Sequence, residues 1–283
     1  MIVTKLIGGL GNQMFQYAVG RSLAEIHQTS LALDTTDSQQ LEARPFDLGK
    51  LNARYEIAGS KIVRVTQGNR WQRLLKRIFP GPWNLFFEKY FHFDDAVLKS
   101  PDQTYLVGFW QSEKYFAGNR TLLLKEFIPK NPLSGLNLEL STKINQTTAV
   151  SLHIRRGDYV TNLQANQFHG IMALDYYHES LKYLKSKIPP FEVFVFSDDP
   201  KWVQENLKTD YKTHYVIHNQ DKNEEDMRMM SLCHHNIIAN SSFSWWGAWL
   251  NQNPNKIVIA PKNWFKDLTK DTKDLIPSEW IRL

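Results

Sequence analysis

The chain has a single cysteine, Cys233, among its 283 residues. No intramolecular disulfide can form, so a reducing, cytoplasmic setting is the natural expectation, with the thiol as a small buried side chain. No window approaches the roughly twenty apolar residues of a membrane-spanning helix. The opening MIVTKLIGG lacks the basic start and long apolar core of a secretion signal. The expectation is a soluble protein, at most peripheral to a membrane. A dense basic stripe is missing too: the formal charge is only +5 and the basic residues are dispersed, which argues against a nucleic-acid partner. Cys233, His234 and His235 are adjacent and point about 100° apart on a helix, without the spacing of zinc ligands. No Ser-His-Asp or Cys-His arrangement stands out, and there is no internal repeat or low-complexity tract.

What is present reads as an ordinary globular protein, 42% hydrophobic and 22% charged, long enough for two domains. Aromatics are abundant at 13%, with nine tryptophans, a composition that suits ligand-lined clefts. Pro129, Pro132 and Gly135 mark the best boundary, giving domains over 1–130 and 138–283. In the first half an apolar strand from Ile2 runs into GGLGN (Gly8 to Asn12) and then into a helical pattern. Strand, glycine turn and helix bring backbone N–H groups towards a ligand, although the spacing after Gly11 is not G-x-G-x-x-G and no P-loop Lys-Ser/Thr follows. Asn12 and Gln13 put two amides at that turn, suited to sugar hydroxyls. Leu31 to Asp34 and Thr104 to Phe109 read as further strands. After the latter, Trp110, Gln111 and Tyr115 form either a carbohydrate platform or a capped helix start. Arg70 to Ile78 reads as a basic amphipathic helix, packed on its own domain or laid on an anionic surface.

The second half alternates strand and helix, an α/β pattern of a doubly wound parallel sheet with its last strand at Ile257 to Ala260. Helices are expected over Asp175 to Lys187 and over Glu224 to His234, the latter with Met227, Met230 and Leu232 inward. Three polar loops fall at strand carboxyl ends: His153 to Asp158, Ser197 to Asp199, and Asn240 to Ser242. In a parallel sheet they share one edge, where ligands bind. Alternation along AVSLHIRRGDYV puts His153 and Arg155 on one side, with Arg156 paired to Asp158 on the other. An arginine at a strand end suits a phosphate through its planar fork, while a surface salt bridge is the structural alternative. Asn240, Ser241 and Ser242 offer a helix N-terminus to the same anion. Asp198 or Asp199 can accept from a guanine edge, or hold Mg²⁺ together with a diphosphate.

GGLGNQMFQY (8–17), GFWQSEKYF (108–116), HIRRGDYV (153–160), FSDDP (196–200) and NSSFSWWGAWL (240–250) together resemble the α-1,2-fucosyltransferases of glycosyltransferase family 11, of the bacterial type that builds surface polysaccharides such as O-antigen. The H-x-R-R-x-D and S/T-D-D elements also resemble the wider group of α-1,2-, α-1,6- and O-fucosyltransferases. The resemblance implies a GT-B-like architecture of two Rossmann-like domains facing a central cleft. GDP-β-L-fucose is then expected in the C-terminal domain and a β-galactoside oligosaccharide or glycolipid acceptor near the N-terminal one. It further implies inversion at the anomeric carbon and no obligatory metal or other cofactor. Arg155 carries over as the β-phosphate ligand, with His153 and Asp199 on the guanosine. The donor set expected on this basis is Gly11, Asn12, His153, Arg155, Asp199, Asn240, Ser241, Ser242 and Phe243. Gln13, Trp110 and Gln111 are expected on the acceptor. Arg155, His153 and Asp158 are the residues expected nearest the chemistry, with the catalytic base left unassigned.

Overall fold

In the computed structural model, which describes residues 1–39, 44–63, 83–157, 160, 170–267 and 269–283, the chain divides into two units. The first comprises Met1–Ile128 together with Asp271–Leu275, and the second Pro129–Lys270 with Ile276–Leu283. The division at Ile128 falls close to the expected boundary. The return of 271–275 to the first unit carries no local sequence signal. It is made by Asp274, which accepts from the Phe93 amide at 3.1 Å and pairs with Lys114 at 2.5 Å.

The first unit holds a five-stranded sheet in the order β3-β2-β1-β5-β4, with every neighbouring pair parallel. Its strands are β1 (Ile2–Lys5), β2 (Leu31–Asp34), β3 (Glu56–Ile57), β4 (Asn84–Phe87) and β5 (Thr104–Val107). Ile2, Val3, Leu31, Ala32, Leu33, Tyr105 and Leu106 are buried, as apolar parallel strands require. The helix Leu10–His27 packs Leu10, Met14, Phe15, Ala18, Val19 and Leu23 inward. β3 and β4 escape the sequence reading because they are short edge strands, partly or wholly exposed.

The second unit carries a six-stranded sheet ordered β11-β10-β9-β6-β7-β8, again parallel throughout. β6 (Ala149–Ile154) is an interior strand with all six residues buried. β7 (Glu192–Ser197) and β8 (Thr213–Val216) lie to one side of it. β9 (His235–Ile237), β10 (Val258–Ala260) and β11 (Ile281–Arg282) lie to the other. Val258–Ala260 is therefore not the last strand: Ile281 and Arg282 add an edge through pairing with Ile259 and Ala260. The helix Asn223–Leu232 buries Met227, Met229 and Met230, whereas Leu232, expected inward at its end, is 37% exposed.

The chain winds away from β6 in two directions, through β7 to β8 and through β9 to β11. The β6/β9 pair is thus a topological switch point, where the loops leaving two neighbouring strands diverge and open a crevice at their carboxyl ends. In the first unit the same construction falls at the β1/β5 pair.

Candidate functional site

At the carboxyl end of β6 the alternation expected through Arg156 stops with the strand, at Ile154. Beyond it the Asp198 carboxylate, delivered by the neighbouring β7, organises the loop. Its Oδ1 accepts from the Arg156 amide at 2.8 Å, and its Oδ2 accepts from the Gly157 amide at 3.0 Å. The Arg155 guanidinium lies 3.0 Å from the same Oδ2. A Cβ on residue 157 would stand 2.8 Å from that oxygen, so glycine lets the carboxylate approach the backbone. The planar guanidinium fork of Arg155 carries five N–H donors, a geometry that matches phosphate oxygens.

Arg156 was expected to pair with Asp158, which lies outside the described residues. Among the described residues its Nε donates to Asp199 Oδ2 at 3.3 Å, and its guanidinium carbon sits 3.6 Å from the centre of the Trp202 ring. A cation over an indole face is attracted by the ring quadrupole, so the stack adds to the ion pair. Asp199 also caps the helix Pro200–Asn206, accepting from the Trp202 amide at 3.3 Å. Both carboxylates of FSDDP are therefore engaged by arginines and backbone amides. Among the described residues no group of three or more His, Cys, Asp or Glu side chains is placed to hold a metal ion.

His153 is 4% exposed on β6, its ring 5.6 Å from that of Phe243. Burial lowers its pKa to about 4; the Asp198 charge works against this shift and the Arg155 charge with it. The imidazole is thus neutral at pH 7, and its buried Nδ1 has no hydrogen-bond partner among the described residues. A neutral ring with an unused nitrogen suits the uncharged edge of a base better than a phosphate. The loop after β9 lies beside this strand end, because β9 pairs with β6 and Phe243 reaches His153. There Ser241 caps the helix Ser242–Leu250, its Oγ accepting from the Phe243 amide at 3.3 Å. Asn240 Nδ2 donates to the carbonyls of Gly170 and Trp264, at 3.2 and 3.3 Å. His153, Arg155, Asn240, Ser241, Ser242 and Phe243 thus gather at the carboxyl ends of β6 and β9.

The first-unit residues separate into two kinds. Gln111 and Asn12 meet, with Gln111 Nε2 donating to Asn12 Oδ1 at 2.8 Å, and Asn12 stays half-buried. Gly11 is buried in the first turn of the helix. Gln13 and Trp110 do not fit the sugar contacts expected of them. The Gln13 amide is consumed by backbone: Nε2 donates to Gly8 and Pro45 carbonyls, and Oε1 accepts from Asp47 and Leu48 amides. Trp110 is fully buried against Phe86 and Tyr115 and has no exposed face for a sugar. Both stand in polar or aromatic contexts that read as ligand-binding, but three-dimensional packing turns them inward. The basic stretch 70–78 lies outside the described residues. No helix among the described residues is long and apolar enough to cross a membrane.

Sequence reasoning missed the clamp role of Asp198, the Trp202 stack and the half-buried Glu88 of the first unit. FSDDP signalled Asp198 as a functional carboxylate. It did not signal a partner at the end of the preceding strand, because the β6–β7 register supplies that contact.

The glycosyl transferase family 11 model matches residues 1–283. An α-1,2-colitosyltransferase of Escherichia coli is 36% identical, covering 100% of this chain and 99% of its own. The O-antigen biosynthesis glycosyltransferase WbnK of the same species is 35% identical, over 98% and 99%. A galactoside α-(1,2)-fucosyltransferase of Mus musculus is 27% identical, over 97% and 70%. Among solved structures, the α-1,6-fucosyltransferase NodZ soaked with GDP-fucose shares the fold, with a TM-score of 0.52 at 14% identity over 95% of each chain. That likeness, with the two parallel α/β units, makes the fold GT-B-like. Matched from end to end, the chain belongs to glycosyl transferase family 11, a family of enzymes.

Proposed function

We propose that this glycosyltransferase moves L-fucose from GDP-β-L-fucose to the 2-OH of a terminal β-galactose, forming an α-1,2 linkage with inversion and without an obligatory metal. The observation that carries the reading is the Arg155 loop at the β6/β9 switch point, built for an anion beside a neutral histidine. The α-1,2 linkage is common to the names of the Escherichia coli colitosyl and mouse fucosyl relatives.

In this mechanism the acceptor oxygen forms a bond to the fucose anomeric carbon from the face opposite GDP, while the bond from that carbon to the diphosphate oxygen breaks. Negative charge grows on the departing diphosphate. The Arg155 guanidinium and the N-terminus of the Ser242–Leu250 helix are preorganised to receive it. His153, neutral and desolvated, pairs with the guanine edge. A dissociative path, in which the departing diphosphate helps to take the hydroxyl proton, asks little of a base.

The colitosyltransferase relative favours a second reading in which the donor sugar is colitose and the linkage is unchanged. Colitose lacks one ring hydroxyl of fucose, and a site built to hydrogen-bond a hydroxyl discriminates strongly against a sugar lacking it. The test is GDP release from GDP-fucose and from GDP-colitose with lactose or N-acetyllactosamine, with and without EDTA, followed by NMR of the product. Fucosyl transfer to the galactose 2-OH that survives EDTA is expected. Turnover with GDP-colitose alone establishes the second reading, and release with neither donor overturns both.

A further inference from the structure

The first sheet has its own switch point at β1/β5, and the loops there are as constructed as those around Arg155. Glu88, just beyond β4, sends its carboxylate to the loop that follows β5. Oε2 accepts from the Phe109 amide at 2.7 Å and Oε1 from the Trp110 amide at 2.9 Å. Trp110 holds φ at 57°, in the left-handed region that a bulky residue adopts only when its surroundings impose it. The consequence is a loop that buries Trp110 completely, leaves the neighbouring Phe109 37% exposed, and points Gln111 at Asn12. Residue 108 is glycine where a Cβ would stand 2.4 Å from the Glu88 Cβ, so the close approach of carboxylate and loop is written into the chain.

We infer that this switch point binds a sugar ring of the acceptor, through the Glu88 carboxylate and the exposed face of Phe109. The inference rests on the transferase reading above and deepens it, naming the residues that recognise the acceptor. A carboxylate has about four lone-pair directions, and two are used by the amides, so two can accept from hydroxyls. Hydrogen bonds from a hydroxyl to an ionised carboxylate are among the stronger ones. The carboxylate is half-buried with no cation at ion-pair distance among the described residues, and burial raises its pKa above the ordinary glutamate range. An anionic ligand is repelled here, whereas a neutral polyol supplies the missing donors. The Phe109 face, negative in its quadrupole, suits the C–H face of a pyranose lying beside those hydroxyls. Asn12, half-buried and held by the buried Gln111, stands on the same strand-end edge.

The experiment uses the full chain, with saturation-transfer NMR of lactose and N-acetyllactosamine and steady-state kinetics of transfer. Phe109→Ala removes the ring and keeps the amide that Glu88 holds. It should raise the acceptor KM about tenfold, with GDP affinity and melting temperature close to wild type. Glu88→Gln should raise it at least as much. The inference is overturned if wild type binds neither disaccharide, or if both folded variants bind and use acceptor as wild type does. It is also overturned if Glu88 proves to bind a cation that lactose does not displace. Should Glu88→Gln fail to fold, Phe109→Ala alone decides. Disaccharide binding that Phe109→Ala abolishes, in a protein that releases no GDP from any donor, sinks the transferase reading and leaves this site standing. Transfer indifferent to both substitutions does the reverse.

Discussion

The two units solve the same structural problem with opposite electrostatics. In each, a carboxylate from one parallel strand end reaches to the loop after its neighbour and accepts two consecutive backbone amides: Asp198 from Arg156 and Gly157, Glu88 from Phe109 and Trp110. In each, a glycine in the clamped loop makes room for the carboxylate. In the second unit the clamp is surrounded by Arg155 and Arg156, with Asp199 and Trp202 fixing the latter. There the charge of the clamp is compensated by a guanidinium. In the first unit the clamp stands among an exposed phenylalanine, a buried tryptophan and amide side chains. On the proposed function, one architecture yields an anion seat and a hydroxyl seat, and the neighbours of the clamp decide which.

The largest effect that tests this contrast is removal of the cation from the anion seat. Arg155→Ala takes away the donor that the proposed mechanism assigns to the departing diphosphate, and losses of one preorganised donor typically cost about 10²–10³ in rate. The expected outcome is a fall of that order in kcat/KM for the GDP-sugar, with weakened GDP binding by calorimetry and unchanged acceptor binding by NMR. Turnover near wild type would break the comparison at its charged end, reducing Arg155 to a partner of Asp198.

The sequence made the second unit legible and left the first half-read, and the reason lies in burial. β6 is apolar from end to end and finishes in HIRRGD, so strand, strand end and charge are all visible in one stretch. β4 is an edge strand, NLFF, with outer positions exposed, and carries no pattern that separates it from a loop. Glu88 follows that unseen strand, so nothing in the sequence brings it to the loop at 108–111. Trp110 was misread for a related reason: its inward turn depends on a left-handed φ that Glu88 enforces, not on its own residue type. Arg156 meets Asp199 from another strand end, a contact the sequence does not signal, and its expected partner Asp158 lies outside the described residues.

The two seats also predict pH responses of opposite sign. His153 titrates at about 4 in the fold and near its ordinary 6.5 when unfolded. Between these values the unfolded chain binds the extra proton, so the stability His153 contributes is present above pH 6.5 and is lost as pH falls towards 4. Relative to His153→Gln, wild type should lose about 3 kcal/mol between pH 7 and 4 in urea unfolding. Asp226, raised to about 7 by burial, runs the other way, but it is common to both chains and cancels in the difference. Glu88 is raised, so its contribution is present below the ordinary glutamate range and is lost as pH rises through its folded value. Relative to Glu88→Gln, wild type should weaken with rising pH. Differences of the same sign at both sites would show that burial does not shift the two groups in these directions.

The smallest effects come from the glycines, and they separate the two clamps by what each must yield. An alanine Cβ at 108 would meet the Glu88 Cβ at 2.4 Å and Trp110 Cε2 at 2.8 Å. A strand-end backbone and a fully buried indole would have to move, so Gly108→Ala is expected to cost about 1–3 kcal/mol, read as a lower urea midpoint. At 157 the nearest atoms are the Asp198 carboxylate oxygen at 2.8 Å and Cγ at 3.1 Å, the end of a side chain that is half-exposed. That carboxylate can swing away by a rotamer change, and stability should fall by less, about 1 kcal/mol or below. The swing has a different consequence, because it releases Arg155 and the two loop amides together. Gly157→Ala should therefore weaken GDP binding more than it lowers the midpoint, while Gly108→Ala lowers the midpoint and leaves GDP binding intact. If Gly157→Ala binds GDP as wild type does, Asp198 is not what holds the anion seat in shape.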